Sequence, residues 1–535
     1  MNPHTDAGSK DPAYTCNDPA CTWRFVTGLA AAIVVAMLPA TIVSQNATCG
    51  DLSRLVLHDA SLKTAADVAA GPFAPPGSRP GAPGLKLPAF CRVTGVATPS
   101  SDSSIGFEIW MPPRPAWNGR FQTVGTTGFA GAIEYGDMAV ALSRGYAVTG
   151  SDAGHVGGEL KFADGHPEKI IDWSYRAIHV VTDVAKLVVR NYEGRHQDFS
   201  YFFGCNTGGH QALSEAQRYP GDFDGIIAGA PANDRINEIV AYQHVWRASH
   251  DNNGKNILPA DKLHLLGQAV VKACDRLDGV QDGVLEDPLQ CRFDPETLKC
   301  EGSSSEPCLT STELTAVRKI YEGPHNPRTG ERIFPGWPFG SESAGPNATQ
   351  GQGWRQIVDL PEPRRTEFWN FFVFNNPSWD WRTFDFDRDL EYANRKVGYV
   401  SAIDHDLSAF KRSGGKLLLY AGWSDPILPA GDPIHYYEEV TQEMGGRDAT
   451  ESFARLFMMP GVGHCSGGPG PDTIDPLTAI ESWVEKGVAP EKLIATKVES
   501  GNVTRERPIC VYPRVAKYSG SGSTDVAASF ACELP

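Results

Sequence analysis

Between residues 107 and 231 short apolar runs alternate with segments of helical spacing, the arrangement of a mainly parallel sheet whose strands are joined by crossovers. The pattern predicts strands at 107–111, 121–124, 146–150, 199–203 and 225–228. Between the third and fourth, residues 174–189 (SYRAIHVVTDVAKLVV) place apolar side chains on one helical face and are long enough for a crossover helix. The alternation resumes with a strand at 416–420, a helix at 436–444, a strand at 454–458 and a helix at 478–486. These are two pieces of one sheet. The stretch between them, 232–410, scatters Trp, Asn, Pro and Gly without clean strand signals and reads as an inserted lid domain. The expected division is therefore 1–45 (an N-terminal export segment), 46–231 (core, first part), 232–410 (lid) and 411–535 (core, second part).

The N-terminal division rests on residues 25–43, an uncharged run preceded by Arg24, which reads as a signal peptide or signal anchor. The chain is then secreted, or else held at a membrane by that run with the rest extracellular or lumenal. Of the 12 cysteines, Cys16 and Cys21 precede this run, which leaves an even number beyond it. In an exported chain an even number implies disulfides. Sequons at Asn46, Asn347 and Asn502 agree with a eukaryotic secretory route. Lys+Arg 48 against Asp+Glu 64 gives a net charge of −16, with no basic cluster. Nucleic acid and anionic membrane surfaces are thereby disfavoured as partners.

Candidate chemistry sits at the end of the fourth strand. Gly204-Cys205-Asn206-Thr207-Gly208 has the frame G-x-S-x-G, in which small flanking residues expose the central side chain at the top of a sheet. The central residue is Asn206, and an amide is no nucleophile, so the ordinary acyl-enzyme step cannot be written with it. The other two members of a triad are present in the expected chain order. Asp425 follows the strand KLLLYAG, and His464 follows ARLFMMPG, each in a Gly-rich loop. Cys205 directly precedes Asn206 and Cys465 directly follows His464, so triad geometry would bring these two cysteines within bridging distance.

These residues resemble the tannase and feruloyl esterase family, which includes the hydrolase of mono(hydroxyethyl) terephthalate. The stretches that carry the resemblance are NGRFQTVGTTGFAGAI (118–133), SDAGHVGG (151–158), PEKIIDWSYRAIH (167–179), the elbow through FDGIIAGAPA (223–232), GWSDPILP (422–429) and MPGVGHC (459–465). The resemblance implies an α/β-hydrolase core with a large inserted lid domain, a Ser-Asp-His triad, a disulfide beside it, and hydrolysis of small aromatic carboxylic esters. Position by position, the nucleophile falls on Asn206, the acid on Asp425 and the base on His464. The oxyanion donors fall on Thr207 and Thr127. Three departures stand out: Asn206 for serine, two threonines in the oxyanion loop Gly125-Thr126-Thr127-Gly128, and His210 for the usual Arg after the glycine pair.

A second motif is acidic. The run from Cys274 to Val284 (CDRLDGVQDGV) offers carboxylates from Asp275, Asp278 and Asp282 and carbonyls from Val280 and Val284, with Gly279 and Gly283 to permit tight winding. A hard, oxygen-coordinated Ca2+ ion requires such donors, and the run resembles the family's structural calcium site. Cys274 and Cys291 flank it and make a natural pair. Cys49 with Cys91, Cys300 with Cys308 and Cys510 with Cys532 follow from proximity and from the resemblance. The aromatic segment 368–386 offers an apolar face for an aromatic acyl group, or simply lid core. Two functions stay open at this level: a carboxylic ester hydrolase for feruloyl- or galloyl-type esters, and a relative that binds such esters or acids without hydrolysing them.

Overall fold

The computed structural model describes residues 47–79, 81, 83–301, 307–343 and 353–535. Nine strands form its central sheet. In chain order they are β1 (Ala60–Val68), β2 (Phe90–Ala97), β3 (Ile105–Met111), β4 (Arg120–Val124), β5 (Ala147–Ser151), β6 (Phe199–Cys205), β7 (Gly225–Gly229), β8 (Lys416–Gly422) and β9 (Ala454–Met459). Their order across the sheet is β1-β2-β3-β5-β4-β6-β7-β8-β9. The pairs β1–β2, β2–β3 and β3–β5 are antiparallel, and every pairing from β5 to β9 is parallel. This is an α/β-hydrolase-type sheet. The parallel strands are mostly buried along both faces, which is why they read as continuous apolar runs.

Successive side chains on these strands enter different cores, as the two-residue strand period demands. Phe202, Ile226 and Leu419 join one apolar cluster with Val181 and Val188 of helix α1 (Ala177–Glu193) and Leu213 of helix α2 (Thr207–Arg218). Their neighbours Tyr201, Ile227 and Leu418 join another with Ile480 and Trp483 of the helix Pro476–Lys486. All seven expected strands form, most of them one or two residues longer than the apolar runs. The expected helix at 174–189 begins as a wide turn, Asp172–Arg176, before continuing as α1.

The long insertion separates β7 from β8, with no named strand between them among the described residues. It contributes helices, including α3 (Arg235–Ser249), Ala260–Cys274, Ser311–Glu322 and Arg388–Val397. Trp337, Trp354, Phe368, Trp369 and Phe372 from this insertion lie in the same apolar cluster as Phe202 and Leu419. Its core is therefore continuous with one face of the sheet.

Five disulfides close, in the expected pairs: Cys49–Cys91, Cys205–Cys465, Cys274–Cys291, Cys300–Cys308 and Cys510–Cys532. Two antiparallel hairpins that the sequence pattern did not reveal follow the last helix, Lys492–Glu499 with Asn502–Cys510 and Val515–Tyr518 with Phe530–Glu533. Asn502 stands exposed at the tip of the first. The run 25–43 and the sequons at Asn46 and Asn347 lie outside the described residues. Among the described residues no helix is long and apolar enough to cross a membrane.

Candidate active site

The chain leaves β6 at Cys205, turns sharply at Asn206 and enters α2 at Thr207. Asn206 takes φ 61° and ψ −118°, a backbone region that non-glycine residues seldom occupy and that marks functional turns. Its glycine neighbours make this turn possible. A Cβ on Gly204 would sit 2.5 Å from the Gly208 carbonyl carbon, and one on Gly209 would sit 2.3 Å from the Gly229 oxygen. The Asn206 N–H donates to Gly229 O at 3.0 Å, tying the elbow to β7.

Asp425 and His464 arrive on loops after β8 and β9. The Asp425 carboxylate is 2% exposed. One of its oxygens accepts the backbone N–H groups of Ile427 (2.7 Å) and Leu428 (2.9 Å), and the other accepts His464 Nδ1 at 2.7 Å. With Nδ1 donating, Nε2 is left as an acceptor, and it faces the Asn206 amide nitrogen within hydrogen-bonding contact. Burial pulls the His464 pKa down, but the charge and hydrogen bond of Asp425 outweigh it and leave the ring above its ordinary value. The Cys205–Cys465 bridge joins the residues next to Asn206 and His464, with their Cα atoms 6.1 Å apart.

The amide oxygen of Asn206 is equally engaged. It accepts the Thr207 N–H at 2.5 Å, the backbone donor that in such an elbow stabilises an oxyanion. Asn206 thus bridges the ring of His464 and the N–H of Thr207. Thr207 Oγ1 also lies 3.1 Å from the Asn206 amide oxygen, has its closest acceptor in Gly128 O (2.6 Å) and accepts from Arg235 (3.1 Å). Ser214 is buried along α2. Among the described residues these two hydroxyls make no contact with His464.

In the loop after β4, Gln211 fixes Thr126, accepting its N–H at 2.9 Å and donating to its hydroxyl at 3.1 Å. Thr127 is exposed and lines the cleft. His210 lies fully buried under the elbow near Trp173, and burial, reinforced by nearby Arg235, lowers its pKa to about 3. It is a neutral packing residue.

The cleft above Asn206 has a volume of about 490 Å³ and is bounded by Thr127, Phe129, Arg364, Arg365, Ile427 and His464. Phe129 stacks on Trp173 at 4.5 Å and meets Phe372 edge-on at 5.9 Å. Of the aromatic segment 368–386, Phe368, Trp369 and Phe372 are buried core residues, and Phe129 connects that core to the cleft. The sequence reading missed Arg235, which is buried, pairs with Glu238 at 2.8 Å and packs against Phe129 and Trp173. It also missed Arg364 and Arg365, whose signal was an adjacent basic pair just before an aromatic run.

The acidic loop winds as its glycines require, with Gly279 at φ 91° and Gly283 at φ 80°. Asp275 Oδ1 accepts the N–H groups of Asp282, Gly283 and Val284 at 3.0–3.2 Å. Asp275 and Asp278 are buried, and burial raises the Asp278 pKa to about 6. Buried carboxylates beside the carbonyl-bearing Val280 and Val284 are the donor chemistry a hard cation needs. Arg505 and Arg507 also reach Asp282. Among the described residues, the His/Cys/Asp/Glu group whose ligand atoms all lie within 4.8 Å is a different one, His179, Asp183 and Asp222.

The family model "Tannase and feruloyl esterase" matches residues 91–533. An uncharacterized esterase of Xanthomonas campestris pv. campestris is 39% identical over 92% of this chain and 92% of its own. Mono(2-hydroxyethyl) terephthalate hydrolase of Piscinibacter sakaiensis is 32% identical over 84% of this chain and 85% of its own. The crystal structure of feruloyl esterase B from Aspergillus oryzae superposes with a TM-score of 0.83 at 28% identity, covering 91% of this chain and all of that one. The sheet order, the elbow and the matched length agree: this chain belongs to the tannase and feruloyl esterase family of carboxylic ester hydrolases.

Proposed function

We propose that the cleft binds small aromatic carboxylic esters of the feruloyl or galloyl type, and that Asn206 holds the site short of acyl transfer. In this reading Asp425 orients His464, His464 is the general base and acid, and position 206 is where an acyl group would be carried. Phe129 supplies an apolar wall, and Arg364 and Arg365 supply positive charge for a phenol or carboxylate on the ring. Thr207 and Thr127 are the oxyanion donors. One observation carries the reading: the Asn206 amide spans His464 Nε2 and the Thr207 N–H, the base and the oxyanion donor that an attacking serine would need.

The assay is hydrolysis of methyl ferulate and methyl gallate by the native chain and by Asn206→Ser. The serine variant should gain roughly a thousandfold or more, since loss of the nucleophile removes most of a triad's acceleration. Equal activity in both would show that position 206 does not carry the acyl group.

The loop of Asp275, Asp278 and Asp282 with the Val280 and Val284 carbonyls is proposed to hold a structural Ca2+ ion that braces the insertion and takes no part in the chemistry. Chelation should lower the melting temperature and added calcium should restore it; an unchanged melting temperature in chelator refutes the site. Disulfides persist in oxidising compartments, so the five found here support an exported protein, with glycans expected at Asn46, Asn347 and Asn502.

A further inference from the structure

Asn206 is placed as a substrate would be. Its carbonyl oxygen lies on the Thr207 N–H at 2.5 Å, its nitrogen lies against His464 Nε2, and its amide faces an open cleft of about 490 Å³. A hydrolase polarises the carbonyl with such a donor and protonates the leaving group with such a ring. Both groups here contact a carboxamide of the chain itself.

We propose that this site hydrolyses its own Asn206 side chain, so that the elbow matures from asparagine to aspartate. The inference rests on the assignment of His464 and Asp425 as a base and its orienting acid.

Water from the cleft attacks the Asn206 side-chain carbon, forming a C–O bond, while its proton passes to His464 Nε2, whose lone pair turns from the Asn206 N–H to the water in this step. The negative charge that develops on the amide oxygen is held by the Thr207 N–H. His464 then gives the proton to the amide nitrogen, the C–N bond breaks with its electron pair on nitrogen, and ammonia leaves. The new carboxylic acid loses its proton to the ammonia. One water is consumed, one ammonium released, and nothing is oxidised or reduced. Asp425 keeps Nδ1 protonated throughout, so that Nε2 can accept and return the proton. The product is a carboxylate beside His464, in place of the amide.

The competing route is attack on the same carbon by the Thr207 backbone nitrogen. It passes through a cyclic imide and opens to a mixture of aspartate and isoaspartate, with no need of His464. The two routes are distinguishable by product and by dependence on the triad.

The full-length protein, freshly purified, is held in H2(18)O at neutral pH, and the peptide containing position 206 is followed by mass spectrometry. The expected result is conversion to aspartate alone, one heavy oxygen per converted chain, slowed by on the order of a hundredfold or more in His464→Ala and in Asp425→Asn, the scale of general-base assistance. Circular dichroism of each variant confirms that slowing is not unfolding. No conversion, conversion at equal rate in folded His464→Ala, or an aspartate–isoaspartate mixture each overturns the proposal. If Asn206→Ser hydrolyses methyl ferulate while the native chain never converts, the esterase scaffold stands and the self-hydrolysis falls. If neither reaction occurs, both readings fall.

Discussion

At residue 206 a costly backbone carries an amide side chain. A non-glycine residue in such a sparsely populated backbone region carries strain of about 1–3 kcal/mol. The neighbouring His464–Asp425 pair is fully assembled, with Asp425 doubly held by the backbone of Ile427 and Leu428. Its ionisation gives a prediction for Asn206→Ser. The raised His464 pKa means that the proton-accepting form grows in as pH rises through a value above 6.5, so hydrolysis should climb along that limb. Changing Asp425 to Asn in this background removes the attraction and leaves burial, which favours the neutral ring. The limb should then move to lower pH while the rate falls by about 10⁴, as a pH–rate profile of methyl ferulate hydrolysis would record. A limb that stays in place would separate His464 from the chemistry.

At the scale of elements, the elbow depends on close approach between β6, α2 and β7. Gly209 faces the Gly229 oxygen so closely that an added methyl must displace backbone rather than a flexible side chain. Gly209→Ala should therefore cost about 1–3 kcal/mol, measurable by urea denaturation, and should weaken activity in the serine variant by tilting α2. Unchanged stability would mean that the elbow is looser than the structure has it. The strands that form this frame were legible because they are buried on both faces and spell unbroken apolar runs, as in KLLLYAG and ARLFMMPG. The edge strand β1 and its neighbour β2 were not legible. Much of β1 is exposed, so ASLKTAADV carries no strong apolar signal, and the terminal hairpin Lys492–Glu499 with Asn502–Cys510 is similarly mixed.

Over the whole molecule, the Cys205–Cys465 bridge closes a separation of 260 residues, across the entire insertion. Replacing both cysteines by Ala should lower stability by roughly 2–5 kcal/mol and reduce turnover in the serine variant more than stability explains, because the bridge ties the elbow to the histidine loop. Calorimetry and the ferulate assay on one preparation separate the two effects; full activity at reduced stability would make the bridge purely structural. The order of Asn206, Asp425 and His464, the calcium-type acidic loop and the esterase motifs are properties of linear sequence, since each is a local pattern of residue types. Their meaning together was not. Which groups the Asn206 amide touches, that Arg235 lies under Thr207, that Gln211 pins Thr126 and that Phe129 joins the insertion's aromatic core to the cleft all depend on contacts between residues distant in the chain. The sequence by itself determined which chemical groups the chain carries and where its buried strands run, because those follow from residue type and period. Only the tertiary structure decided that an amide bridges base and oxyanion donor, because distances across the sheet are set by packing, not by position along the chain.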